Sequence, residues 1–169
     1  MPHVGSSIFK NTNLMNTEEK LGAMLRERGW TLGTAESCTG GRIASRITSV
    51  AGSSDYFVGG IVSYSNAVKH NLLGVLLSDL EHEGAVSQPV VEEMAIGARR
   101  VLGCHCTVAT SGIAGPGGGT VEKPVGTVWI AAACGDRLVS RCFHFPFDRV
   151  GNVEAASEEA MKMLMEMLP

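Results

Sequence analysis

The feature of this chain that most limits its fold is the alternation of two hydrophobic periods along its length. Segments with apolar residues at every third or fourth position favour helices, and the shorter runs between them, rich in β-branched and small apolar residues, favour strands. Helices that alternate with strands pack on the faces of a sheet, so the order predicts an α/β fold with a layered mixed β-sheet flanked by helices. The helices are predicted near residues 16–29, 40–49, 66–74, 87–103 and 152–168, and the strands near 30–35, 55–65, 104–113, 125–133 and 138–145.

Length and the composition of the N-terminus predict one domain preceded by a tail. A chain of 169 residues is long enough to bury one full core without disulfides or metals. Residues 1–14 mix Pro, Gly, Ser and Asn without periodicity, which predicts a flexible tail ahead of a single domain over 15–169.

Charge and apolar patterning exclude several classes of partner. The formal net charge is −3, whereas binding to a phosphate backbone requires a basic excess, so no nucleic-acid partner is expected. No apolar run approaches the roughly 20 residues that a membrane span needs, and the N-terminus lacks the apolar core of a signal peptide. We therefore expect a soluble cytoplasmic protein that does not bind membranes.

The five cysteines predict neither a disulfide framework nor a metal centre. Their number is odd and most of them lie in apolar runs, which favours buried thiols in a reducing compartment. Cys104 and Cys106 flank a histidine, but no second ligand pair stands at zinc spacing. We expect buried thiols, no metal ion and no cofactor.

The turn Thr34–Gly41, after the first predicted strand, concentrates hydroxyl, thiol and carboxylate groups where a helix begins. A helix N-terminus presents unpaired N–H groups and a partial positive charge, which support a nucleophile or an anion. Ser37 is therefore a candidate nucleophile, but serine is also a preferred helix cap, and the local pattern leaves both roles open. Cys38 is a rival, because a helix N-terminus lowers the pKa of a thiol.

A serine nucleophile requires a base, and the five histidines suggest no Ser-His-Asp set. Lys69 lies on the first turn of the helix predicted at 66–74, and a lysine that is desolvated there can lose its proton near neutral pH. Tyr64, at the end of the preceding strand, could relay that proton or orient the amine. An exposed structural lysine fits the same pattern, so the residues alone leave the base open.

Two further elements could bind an anion. The glycine-rich run 112–119 after Ser111 could expose N–H groups that cradle a phosphate, although it lacks the Gly-Lys-Ser/Thr ending of a Walker A loop and a flexible turn fits equally well. Arg149, next to Asp148 before the last helix, could face a phosphate or carboxylate, or form a surface ion pair.

Taken together, these motifs closely resemble the CinA C-terminal domain family, which comprises nicotinamide-nucleotide amidases. The resemblance extends from the first predicted helix to the last, with several ordered motifs at matching intervals. The molybdopterin-cofactor-binding-like domain of longer members has no match here, so a stand-alone form is expected. The motifs are Thr34–Gly41, 51–54 (AGSS), Tyr64-Ser65-Asn66 with Lys69, 84–87 (GAVS), and 111–116 (SGIAGP) with 123–128 (KPVGTV).

The resemblance implies hydrolysis of the carboxamide of nicotinamide mononucleotide, which gives nicotinate mononucleotide and ammonia in pyridine-nucleotide salvage, by a cytoplasmic homodimer. The serine–lysine pair of the family and its accompanying tyrosine match Ser37, Lys69 and Tyr64. Lys69 would take the Ser37 proton, and helix-start N–H groups near Thr39 and Gly40 would hold the oxyanion. The predicted substrate-binding residues are Glu36, Thr39, Gly40, Gly41, Ser65, Asn66, Ser111, Gly112, Ala114, Gly115 and Arg149.

The chain departs from the family pattern near its C-terminus. Phe147 stands where the family usually has glycine, and Val153 and Glu154 occupy a region where a further arginine is frequent. Phosphate binding from this end is therefore left open. A second hypothesis is a non-catalytic nucleotide-binding module or a competence-related regulator, against which the intact serine, tyrosine and lysine argue.

Overall fold

The fold was analysed in a computed structural model that describes residues 14–169. The predicted tail therefore lies outside the described residues, apart from Leu14. No helix in the described range is long and apolar enough to cross a membrane. The elements are α1 (Thr17–Arg28), β1 (Leu32–Glu36), α2 (Arg42–Thr48), β2 (Phe57–Val62), α3 (Asn66–Leu73), α4 (Leu77–His82), α5 (Gln88–Leu102), β3 (Cys106–Gly112), β4 (Thr127–Cys134), β5 (Arg137–His144) and α6 (Arg149–Met167), with a short 3-10 turn at Ser53–Asp55.

The five strands form one mixed sheet in the order β2-β1-β3-β4-β5. β1 runs parallel to both neighbours, so that Ala35 lies opposite Ile61 of β2 and Ala109 of β3. β4 and β5 are antiparallel and form the hairpin that the sequence predicts, with Cys134 opposite Arg137 beside the turn. The structure thus confirms the predicted α/β fold, and it places the carboxyl ends of β1, β2 and β3 at one edge of the sheet.

Helices cover both faces of the sheet and enclose two hydrophobic clusters. α1, α2 and α6 pack on one face, around residues that include Leu25, Ile47 and Met161. α3, α4 and α5 pack on the other face, around residues that include Leu73 and Met94. Adjacent residues of a strand point to opposite faces, so the central strands β1 and β3, which are covered on both sides, are buried along nearly their whole length.

The caps of two helices differ from the sequence expectation. Asn66, at the start of the helix predicted at 66–74, is a residue type preferred at N-caps and is the predicted cap, but α3 is capped by Ser65, whose Oγ accepts a hydrogen bond from the Val68 N–H at 3.2 Å. α6 begins at Arg149 rather than near residue 152, because the Asp148 carboxylate caps it and accepts from the Gly151 N–H at 2.8 Å. The earlier start places Arg149 on the first turn of α6.

The prediction of buried thiols throughout is wrong for one cysteine pair. Cys106 and Cys134 stand directly opposite each other in the β3–β4 ladder, with their Cα atoms 4.3 Å apart, and form a disulfide. The antiparallel register brings these side chains together across 28 residues, and an odd cysteine count cannot reveal that register. Of the free cysteines Cys38, Cys104 and Cys142, Cys142 is exposed, so the prediction of a buried thiol is wrong there as well.

Candidate active site

A cavity of about 300 Å³ lies at the carboxyl ends of the parallel strands β1, β2 and β3. Ligands of open α/β sheets bind at this edge, because the loops that follow neighbouring strands converge there. Nowhere in residues 14–169 do three or more His, Cys, Asp or Glu side chains come together to hold a metal ion. The predicted site residues that line the cavity are Ser37, Tyr64, Asn66, Lys69, Ser111, Gly112, Ala114, Gly115 and Arg149.

Lys69 and Ser37 meet at the base of this cavity. The Lys69 side chain is 1% exposed, and its Nζ lies 3.0 Å from Ser37 Oγ, 2.8 Å from the Ser63 carbonyl oxygen and 3.2 Å from the Tyr64 carbonyl oxygen. The two carbonyl oxygens can only accept hydrogen bonds. A neutral amine has two N–H donors for these carbonyls and one lone pair, which is then free to accept the Ser37 hydroxyl proton.

The surroundings of Lys69 favour the neutral amine. Desolvation by burial lowers the pKa of Lys69 below its ordinary value. Among the described residues, no carboxylate forms an ion pair with this amine. Lys69 is therefore not the exposed structural lysine that the sequence left as an alternative. It has the environment of a general base.

Burial makes Cys38 a poor rival to Ser37. Desolvation raises the pKa of the Cys38 thiol to about 12, which outweighs any lowering from its place near a helix start. Cys38 lines the same cavity, but Lys69 contacts the hydroxyl of Ser37. The geometry therefore favours the serine as nucleophile.

Glu36 was predicted to bind substrate, but its side chain does not line the cavity. Its side chain is buried, and Oε1 accepts hydrogen bonds from the Thr39 hydroxyl at 2.7 Å and the Ile43 N–H at 2.8 Å. Oε2 accepts from the Ala44 N–H at 3.0 Å and the Thr34 hydroxyl at 3.3 Å. The carboxylate thus caps α2 from behind the turn, and the Thr39 side chain is held there with it.

Some backbone N–H groups of the turn after β1 donate to backbone carbonyls, and others do not. Gly40 was predicted to help hold an oxyanion, but its N–H donates to the Ser37 carbonyl at 3.0 Å. The N–H groups of Cys38 and Thr39 donate to no backbone carbonyl within the described part of the chain. Gly40 and Gly41 have φ angles of 57° and 96°, a conformation that favours glycine. We therefore assign the glycines to the shape of the turn, and the free donors to Cys38 and Thr39.

Arg149 and Tyr64 meet across the cavity from opposite elements. Arg149 Nη1 donates to the Gly115 carbonyl at 2.7 Å, and Nη2 donates to the Tyr64 hydroxyl at 3.1 Å. The surface ion pair with Asp148 is not formed, and no described carboxylate pairs with this guanidinium. Arg149 therefore presents a positive charge to the cavity, while Lys69 contacts Tyr64 through the backbone carbonyl rather than the hydroxyl.

The loop between β3 and β4 supplies free backbone donors. Ser111 Oγ donates to the Ala85 carbonyl at 2.7 Å and so ties the end of β3 to the segment before α5. Within the described residues, the N–H groups of Ala114, Gly115 and 117–118 have no protein acceptor. Unpaired N–H groups beside a guanidinium form a surface that suits an anion.

Asn152, which the sequence did not single out, supports the cavity from behind through the loop residue Ala114. Its side chain is 1% exposed, Nδ2 donates to the Ala114 carbonyl at 3.0 Å, and Oδ1 accepts from the Phe147 N–H at 3.0 Å. It thereby joins the start of α6 to the glycine-rich loop. The available signal was a polar residue on the apolar face of a helix, four positions before the buried Ala156.

Two predicted contacts fall at the start of α3, with different outcomes. Asn66 lines the cavity, and its side-chain amide forms no hydrogen bond within the described residues. Ser65 lies outside the cavity lining because its hydroxyl caps the helix. Of the polar pair predicted here, only Asn66 is placed to contact a ligand.

Comparison with known proteins relates the chain and its fold to one family. The model of the CinA C-terminal domain matches residues 14–168. A CinA-like protein of Chloroherpeton thalassium is 45% identical over 169 residues, which cover 98% of this chain but only 40% of that relative. The nicotinamide-nucleotide amidohydrolase PncC of Escherichia coli K12 is 50% identical over 143 residues, 83% of this chain and 87% of that protein.

A solved structure supports the same relationship. The crystal structure of a CinA superfamily protein from Klebsiella pneumoniae superposes with a TM-score of 0.86 at 36% sequence identity, covering 91% of this chain and 98% of that one. The family model spans nearly the whole described range, and several of the motif residues, Ser37, Tyr64, Lys69 and 111–115, line the cavity. The chain therefore belongs to the CinA C-terminal domain family.

Proposed function

We propose that this protein hydrolyses the carboxamide of nicotinamide mononucleotide to nicotinate mononucleotide and ammonia. The observation that carries the proposal is the buried Lys69 amine 3.0 Å from Ser37 Oγ, at the base of a cavity that the Arg149 guanidinium also lines. The PncC relative, at 50% identity, supports the same substrate.

The geometry supports a serine amidohydrolase mechanism. Neutral Lys69 accepts the Ser37 proton while Oγ attacks the carboxamide carbon, and the N–H groups of Cys38 and Thr39 hold the oxyanion that forms. The Lys69 ammonium then gives its proton to the leaving nitrogen, so that ammonia departs and an acyl-serine remains. Water, deprotonated by the same amine, attacks the ester and releases the carboxylic acid and Ser37.

The remote part of the substrate would bind at the far side of the cavity. The phosphate is assigned to Arg149 and to the free N–H groups of the loop at Ala114 and Gly115, with Asn66 as a further polar contact. Asn152 holds that loop against α6 and is proposed as a positioning residue. The relay of protons by Tyr64 stays a prediction, because its hydroxyl contacts Arg149 in this arrangement.

Paired substitutions of the two adjacent candidates test the nucleophile. Ser37→Ala should lower kcat for ammonia release by about a thousandfold or more, since the group that attacks is removed. Cys38→Ala should retain most of the activity, because its thiol stays protonated. The reverse pattern would contradict the assignment. Tight binding of nicotinamide mononucleotide by the wild type without ammonia release would instead favour the non-catalytic module.

The setting of the reaction is also a proposal. We infer a role in pyridine-nucleotide salvage, in the cytoplasm, by a homodimer that binds neither nucleic acid nor membranes. The family resemblance supports this setting. Light scattering tests the oligomeric state directly, and a monomer mass at working concentration would exclude the homodimer.

A further inference from the structure

A second concave region lies at the opposite end of the sheet from the active site. A cavity of about 260 Å³ is lined by Trp30, Arg99, Gly103, Cys104, His105 and Gly135. It adjoins an open groove of about 500 Å³ along the last turn of α5, with Arg99, Gly103 and Cys104 common to both. Strand β3 runs from this end to the active site over seven residues, which separates the two regions by about 20 Å. We call this region the Trp30 groove.

Two aromatic rings form a fixed surface in the Trp30 groove. The rings of Trp30 and His105 are parallel to within 7°, with centroids 6.2 Å apart. His105 Nδ1 lies 3.0 Å from the Thr31 N–H, which can only donate, and 2.9 Å from the Thr31 hydroxyl. Nδ1 is therefore an acceptor, and the ring proton of neutral His105 is on Nε2. Parallel rings held in place suit the stacking of a planar ligand.

The charged groups of the Trp30 groove are cationic. Arg99 donates to the Gly135 carbonyl and Arg100 donates to the Leu73 carbonyl, and neither guanidinium pairs with a carboxylate of the described residues. Cations in a last helical turn also stabilise the helix dipole, which accounts for two arginines at the end of α5. The helix dipole does not account for an oriented aromatic pair beside these arginines. The combination of a stacking surface with guanidinium groups that pair with no described carboxylate points to a planar anion.

We propose that the Trp30 groove binds a nucleotide. The base stacks on the rings of Trp30 and His105, and the phosphate accepts hydrogen bonds from Arg99, with His105 Nε2–H as an additional donor. Arg100 adds positive charge along the open part of the groove. The site is separate from the catalytic cavity, so this proposal does not depend on the amidase reaction.

Fluorescence of Trp30 provides the test. The chain has two tryptophans, and Trp129→Phe leaves Trp30 as the only one. Titration with AMP should quench its emission saturably, whereas adenosine and inorganic phosphate should each bind at least about tenfold more weakly, because each offers only one of the two contacts. Calorimetric titration of the wild type with AMP repeats the measurement without a substitution in the sheet.

Matched variants assign the binding to one end of the sheet. Arg99→Gln should weaken AMP binding about tenfold or more and leave ammonia release unchanged, whereas Arg149→Gln in the catalytic cavity should leave the quenching unchanged. The proposal is overturned if AMP produces neither quenching nor heat, if Arg99→Gln binds as tightly as the parent, or if Arg149→Gln alone abolishes the signal. Equal affinity for AMP and inorganic phosphate would mean that the base makes no stacking contact, which would contradict the assignment of a nucleotide.

Discussion

Lys69→Met separates the chemistry of the amine from the packing of its side chain. Methionine keeps a long unbranched side chain of similar shape and removes the group that lies 3.0 Å from Ser37 Oγ. A positioned general base contributes about 10²–10⁴ in rate, which corresponds to roughly 2.7–5.5 kcal/mol of activation free energy. We expect kcat to fall by that factor with little change in KM, because the phosphate contacts are assigned to Arg149 and the loop.

The same substitution should leave the protein folded. The carbonyl of fully buried Ser63 loses its donor, which costs about 1–3 kcal/mol. Part of this loss is offset, because the substitution also removes the cost of burying the Lys69 amine away from water. A change of this size is within the roughly 5–15 kcal/mol stability of an ordinary domain.

The lowered pKa of Lys69 predicts two pH dependences. The proposed reaction needs the neutral amine, so kcat/KM should rise with pH and level off above the folded-state pKa, which lies below the ordinary value for lysine. Between the folded-state and unfolded-state pKa values the unfolded chain binds more protons. The free energy of unfolding should therefore increase with pH through that window, and Lys69→Met should lack this increase.

Ammonia release from nicotinamide mononucleotide across pH, with thermal melts by circular dichroism, measures both effects. Lys162→Met is the matched control, because the Lys162 side chain is 51% exposed on α6 and pairs only with Glu159 within the described residues. The control should retain activity and its pH profile. A folded Lys69→Met protein with more than a tenth of the wild-type kcat would refute the role of Lys69 as base.

Three further substitutions test the surroundings of the pair. Glu36→Gln should lower the free energy of unfolding by about 1–3 kcal/mol in chemical denaturation, because an amide cannot accept all four hydrogen bonds; an unchanged midpoint would contradict the capping role. Asn152→Asp should raise KM for the nucleotide with kcat nearly constant in steady-state kinetics, since it removes the donor to Ala114; an equal loss in kcat would contradict a positioning role. Tyr64→Phe should also act mainly on KM through Arg149, and a hundredfold fall in kcat would support proton relay instead.

Local signals predicted most of the fold. Gly29, Gly74 and Gly103 end α1, α3 and α5 in the left-handed conformation, and each was readable because it follows an amphipathic run. The predicted start of α6 near residue 152 is late, because the capping role of Asp148 was not predicted. The Cys106–Cys134 disulfide depends on strand register, which no local pattern encodes.

Site residues at the ends of strands and the starts of helices could be predicted from the sequence. Residues that reach the site only through tertiary packing could not. Lys69 and Arg149 stand out because charged residues at helix starts beside strand ends converge at one edge of a parallel sheet. Asn152 was missed because its two hydrogen bonds go to backbone groups 38 and five positions away. These hydrogen bonds of the Asn152 side chain form only once the loop and α6 have packed together.

The role of Ser37 depends on a residue whose own role was predicted wrongly. A serine where a helix begins can serve as its cap, and the sequence left cap and nucleophile equally open. In the structure the Glu36 carboxylate accepts from the Ile43 and Ala44 N–H groups and takes over the capping of α2. The Ser37 hydroxyl is thereby free of the helix and lies against Lys69. In the proposed mechanism Glu36 therefore acts on the chemistry indirectly, because it satisfies the helix start that would otherwise compete for Ser37.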